Sequence, residues 1–121
     1  MKILFRVHRE YYGPIASGEK NVELRRISPH WLRVARRAGK ALSAGEDVYG
    51  MFVCGKDQRL RRVARIAENV RAVEVLGRPL SPQGVKDLGG EDPRVIAYYL
   101  VPLREFDPVA FGFNKGDDES P

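Results

Sequence analysis

A single cysteine, Cys54, stands among the 121 residues, so no internal disulfide can staple the fold. Histidine is almost as scarce. His8 and His30 are the only two, and neither CxxC nor HxxxH spacing occurs, so no metal site is expected. The phosphate-cradling patterns GxxxxGK[ST] and GxGxxG are absent too, and no cofactor is expected. No apolar run approaches the roughly 20 residues of a membrane-spanning helix. The short Ile3-Leu4-Phe5 run is broken by Arg6, His8, Arg9 and Glu10, too soon for a signal peptide. The expected setting is the cytoplasm, with no membrane partner. Threonine is missing altogether, and only three Asn and two Gln occur, which fits a heat-adapted or GC-biased source.

What remains is 43% hydrophobic and 31% charged, a balance that folds rather than staying disordered. A chain of this length buries about two-thirds of its unfolded surface, enough for one core. One domain over residues 1–113 is expected, followed by a flexible acidic tail over 114–121. Charge is distributed unevenly. Residues 1–114 carry 20 Lys and Arg against 13 Asp and Glu, while the last seven carry one Lys against three acids. Arginine supplies most of the excess, 15 against 6 Lys. Guanidinium groups grip phosphates bidentately and stack on flat rings. A nucleic-acid partner, RNA or DNA, is therefore expected. The competing reading is a basic surface that serves solubility alone.

Along the chain, Ile3–His8 alternates as a strand, and Glu10–Ala16 has helical spacing closed by Gly18. A second strand over Lys20–Arg26 would turn Val22 and Leu24 inward. Ser28-Pro29 starts a helix that runs to Leu42, with Arg33, Arg36, Arg37 and Lys40 forming one basic stripe. Val48–Cys54 is a buried strand joined by a hairpin at Gly55–Gln58 to a long strand, Leu60 to Val75, bent or bulged on the way. Ser81-Pro82 starts another short helix, and Val95–Leu103 is the last strand. Hairpin links without regular β–α alternation predict an α+β fold with two or three short helices, built on an antiparallel sheet or a small, mixed, mostly antiparallel β-barrel.

One stretch is more specific. Ser17-Gly18-Glu19-Lys20-Asn21-Val22-Glu23-Leu24-Arg25 resembles the S-G-x-K-x-x-E-x-R signature of ASCH domains, members of the PUA-like superfamily. Leu42–Val48 is similar to that family's Gly-Asp-x-Val entry into its middle strand, with Glu46 inserted between Gly45 and Asp47. The resemblance implies a small barrel with a cleft at the Gly18–Lys20 junction. Most such domains bind RNA and some relatives read modified bases in DNA. A few are hydrolases on RNA or a nucleoside. The amidohydrolase branch uses a Lys and a Thr three residues later. Lys20 matches that Lys, but Glu23 takes the place of the Thr, so that pair is not carried over.

The candidate residues follow. If the chain is a hydrolase, Lys20 and Glu23 are the catalytic candidates, since a desolvated Lys can act as base or nucleophile and a Glu can position water. Against this stands a solvated Lys20 and a surface Glu23–Arg25 ion pair. Nucleic-acid contacts are expected from Lys20, Arg25, Arg33, Arg36, Arg37, Lys40, Arg61 and Arg62, the last two following a hairpin where charge also guards a strand edge. His8, Gly18 and Tyr98 are expected to line the cleft.

Overall fold

Ile3 and Phe5 are buried while Lys2, Leu4 and Arg6 are exposed, the period-two pattern of a strand laid across a core. In the computed structural model, which describes residues 1–103, this strand is β1 (Lys2–Arg6). There follow α1 (Arg9–Ser17), β2 (Val22–Arg26), α2 (Pro29–Ser43), β3 (Tyr49–Cys54), β4 (Asp57–Arg71), α3 (Ala72–Leu76), α4 (Pro82–Leu88) and β5 (Arg94–Leu100). The fold is mixed α+β. The acidic tail expected over 114–121, and residues 104–113 of the expected domain, lie outside the described residues. None of the described helices is long and apolar enough to cross a membrane.

The helix starts form as their sequences dictate. Ser28 Oγ accepts the Trp31 N–H at 3.1 Å and Ser81 Oγ accepts the Gly84 N–H at 3.1 Å, each with a proline at the first helical position. In α2, Ala35 and Ala38 face the core while Arg33, Arg36, Arg37 and Lys40 stay exposed. Gly39 does not end it, because Ala41 and Leu42 still have core to pack against.

Among the described residues four helices form where two or three were expected, and α2 is not short. The additional one is α3, cut from the end of the predicted Leu60–Val75 strand. Asn69 takes a left-handed turn at φ 57° and the β4–β5 register slips between Ala67 and Val70. An Asn tolerates that conformation, and Arg94 secures it by donating to Asn69 Oδ1 and O at 2.8 and 2.9 Å. The chain then leaves the ladder at Arg71.

The five strands form one sheet in the order β1-β3-β4-β5-β2, with β1 parallel to β3 and the other pairs antiparallel. It is mostly antiparallel, as expected, but the expected barrel does not close. Strands β1 and β2 stand at opposite edges, and no ladder joins them among the described residues. A side chain bridges the gap instead. Arg25 on β2 donates to the Arg6 carbonyl on β1 at 3.0 Å. On the concave side lies an aromatic core: Phe5 stacks on Phe52 and Trp31 at 4.9 and 5.5 Å, and Tyr98 meets Phe5 edge-on at 5.0 Å. Val95 and Ala97 point the other way and are buried too, with α3 against β4 and β5 and α4 against β2.

Candidate functional site

The open seam between β1 and β2 is a cleft of about 1100 Å³. Strand β2 and its approach, Glu19–Asn21, run along it. Val7, His8 and Tyr11 line one side, and the α3–α4 connection with Arg78, Leu80 and Ser81 lines the other. Three contacts tie these elements: Tyr11 Oη lies 3.3 Å from Ser81 Oγ, and His8 Nε2 lies 3.3 Å from Asp87 Oδ2 and 3.5 Å from Gln83 Nε2. Gln83 donates to Asp87 Oδ1 at 2.9 Å and steadies that carboxylate.

Lys20 sits just before β2. Its N–H donates to the Pro14 carbonyl at 3.0 Å, and its Nζ lies over the Tyr11 ring, 4.7 Å from the centroid. Burial lowers its ammonium below the ordinary lysine value. Glu23 opposes this, and Arg78 and Arg25 reinforce it.

Glu23 is only 5% exposed. It stands opposite Tyr98 in the β2–β5 ladder, so it points inward. This corrects the expectation that Val22 and Leu24 form the inward face of β2; both are only half-buried. Arg25 makes the burial tolerable by donating Nε and Nη2 to Glu23 Oε2 at 2.8 and 2.7 Å. Desolvation still lifts the carboxyl above its ordinary value, against the pull of Arg25 and Lys20. The Glu23–Arg25 pair is therefore real but internal, not a surface pair. Arg25 itself lies over Phe5 and Trp31, 5.1 and 4.9 Å from their centroids, an arrangement in which both rings hold the cation in place.

Of the three residues expected to line the cleft, His8 does and Gly18 and Tyr98 do not. Gly18 caps α1 in the left-handed region at φ 88°, where a side chain would meet Leu103 Cβ at 3.0 Å. It shapes the turn that delivers Lys20. Tyr98 is fully buried, its hydroxyl has no hydrogen-bond partner among the described residues, and burial drives its phenol far above the ordinary value.

The expected nucleic-acid contacts divide. Lys20 and Arg25 line the cleft. Arg33, Arg36, Arg37 and Lys40 lie on the exposed face of α2 and do not line it, and Arg36 reaches Glu68 at 3.4 Å. Arg62 is exposed and paired with Asp47 at 2.6 Å. Arg61 is no surface cation. It is 1% exposed and donates to the carbonyls of Ile15, Lys20 and Val101 and to Asn21 Oδ1. It tethers the loop that carries Lys20.

Sequence reasoning missed Tyr11, Arg26 and Arg78, which also line the cleft. The Gly77-Arg78-Pro79 turn carried a signal, because a cation fixed between Gly and Pro has a defined place on a loop. Among the described residues no group of three or more His, Cys, Asp or Glu is placed to hold a metal ion. The cleft instead combines cations that can meet phosphates, rings that can stack, and an amine of lowered proton affinity near a buried carboxyl. No family model matches the chain, nor does any curated protein or solved structure.

Proposed function

We propose that the chain is a nucleic-acid-binding domain of the ASCH, PUA-like kind, and that its open-seam cleft takes RNA. The observation that carries this reading is the convergence of Lys20, Arg26 and Arg78 with the rings of Tyr11 and Trp31 along one cleft. Cations displace counterions from the phosphate backbone and aromatic faces hold bases, so binding is salt-sensitive. Three such contacts on a single strand give a log–log salt slope of about −2, or roughly twentyfold weaker binding between 50 and 200 mM salt.

Fluorescence anisotropy of a labelled single-stranded RNA across that range tests the reading. Arg78→Ala should flatten the slope by about 0.7, one cation's share. Absence of binding, or binding indifferent to salt, rejects it. A slope that responds only to Arg36→Ala/Arg37→Ala moves the interface to α2. Tighter binding to a DNA duplex carrying a modified base favours a DNA reader.

A second reading, a small hydrolase on RNA or a nucleoside, rests on Lys20 and Glu23. Both line the cleft, burial weakens the proton affinity of the amine, and it strengthens that of the carboxyl. Burial that raises a Glu and lowers a Lys toward the working pH is how general acids and bases are tuned. Turnover that vanishes in Lys20→Ala while RNA affinity survives supports it.

A further inference from the structure

The convex side of the sheet is covered unevenly. Its β5–β2 half lies under α3 and α4, whereas over β1, β3 and the first half of β4 large apolar side chains reach solvent. In register, Leu4 stands beside Met51 and Met51 beside Leu60, so the three form one row about 10 Å long across three strands. Leu4 is 51% exposed and Leu60 44%. Val101 joins them at 38% exposure, held opposite Arg62 by its N–H donating to the Arg62 carbonyl at 2.8 Å. Three of the five large hydrophobics that are exposed among the described residues therefore share one face.

Among the described residues, the charged side chains on the outward positions around this row are of one sign. Lys2 and Arg6 flank Leu4 on the same face of β1, and the N-terminal ammonium lies beside it, donating to the Asp47 carbonyl at 3.1 Å. Arg62 is neutralised by Asp47. None of the nine outward positions on the three paired strands carries a carboxylate.

We propose that this face docks an acidic, amphipathic segment of a partner protein, its aliphatic side chains on the Leu4–Met51–Leu60 row and its carboxylates toward Lys2 and Arg6. The proposal is independent of what the cleft binds. A second copy would set Lys2 and Arg6 against their own kind, which is repulsive. Nucleic acid would find aliphatic side chains where bases need planes to stack on. A bilayer calls for residues on a protruding loop or helix, and these stand in a level row on the face of a sheet. Charge complementarity selects an acidic polypeptide, with aliphatic contact supplying the affinity.

The test selects 16-residue peptides, displayed with leucine at helical spacing between randomised Asp, Glu, Lys and Arg, against the full-length protein. Enrichment of acidic sequences is expected. Leu4→Asp and Leu60→Asp should each weaken the best selected peptide at least tenfold, and Lys2→Glu severalfold, while Arg33→Glu on α2 changes nothing. Both leucines are exposed, and unchanged urea midpoints confirm that their variants fold. Four results overturn the proposal: enrichment of basic or no sequences, peptides indifferent to Leu60→Asp, a sedimenting dimer dispersed by Leu60→Asp, or phosphatidylserine vesicles binding through Leu4 and Leu60 without peptide selectivity.

Discussion

Replacing Arg61 with methionine keeps the length of the side chain and removes its donors. Four acceptors are affected: the Ile15 carbonyl and Asn21 Oδ1, each at 2.6 Å, and the Val101 and Lys20 carbonyls at 3.0 and 3.3 Å. Stranding a buried acceptor costs about 1–3 kcal/mol. The two short bonds alone then cost roughly 4 kcal/mol, and the relief of no longer burying a guanidinium returns part of that. A net loss of about 3 kcal/mol is expected, which in a domain of this size lowers Tm by about 12 °C. Urea unfolding and calorimetry read both quantities. Arg61→Lys, which keeps the charge without the fork, should fall between. A methionine variant within about 1 kcal/mol of the parent would refute the clamp. So would one that keeps its full stability but binds RNA with a flatter salt slope, because Arg61 would then be a phosphate contact after all.

Other outcomes are expected at the site and in the core. Because the Glu23 carboxyl is raised in the fold, the native state holds an extra proton above the ordinary carboxylate range, and stability falls as pH rises through that interval. Glu23→Gln should remove this component from urea midpoints taken between pH 4 and 8, and an unchanged pH profile would count against a buried carboxyl. The Lys20 amine should titrate below the ordinary lysine range when its methylated side chain is followed by NMR, and an ordinary value would show that the amine is solvated. At Gly50 a Cβ would lie 2.9 Å from Phe5 Cε2 and 3.0 Å from Phe52 Cε2. Gly50→Ala should therefore cost about 1–3 kcal/mol by overpacking, measurable as a lower urea midpoint, and a neutral result would mean that the aromatic stack gives way freely.

Much of the fold was legible because its signals are local. The alternation in β1 and the Ser-Pro helix starts at Ser28 and Ser81 need only neighbouring residues. The apolar face of α2 is written in Trp31, Leu32, Ala35 and Ala38. What failed to show was non-local. Whether the sheet closes depends on β1 meeting β2, and nothing near either strand announces that Arg25 will occupy the gap. The inward face of β2 stayed hidden for the same reason. Alternation put the apolar Val22 and Leu24 inward, yet the guanidinium of Arg25, held against Phe5 and Trp31, makes a charged residue tolerable inside. Arg61 read as one more member of an arginine cluster because its four acceptors come from α1, the Lys20 loop and the end of β5. The site's Lys20 was visible through its motif. Its neighbours Arg78 and Tyr11 arrive from distant or differently read segments.

The strand order also has a consequence for the growing chain. Strand β2 is made early, yet its one ladder among the described residues is with β5, the last of the described strands. The β3–β4 hairpin can form from adjacent sequence, and β1 can then dock on β3. Until Leu100 and Val101 emerge, β2 has no strand to join, Arg61 lacks one of its acceptors, and Lys20 has no fixed place. An incomplete chain therefore carries a basic surface without a cleft, and a β4 with one bare edge, which invites pairing between chains. The cleft itself takes shape only when β5 is in place.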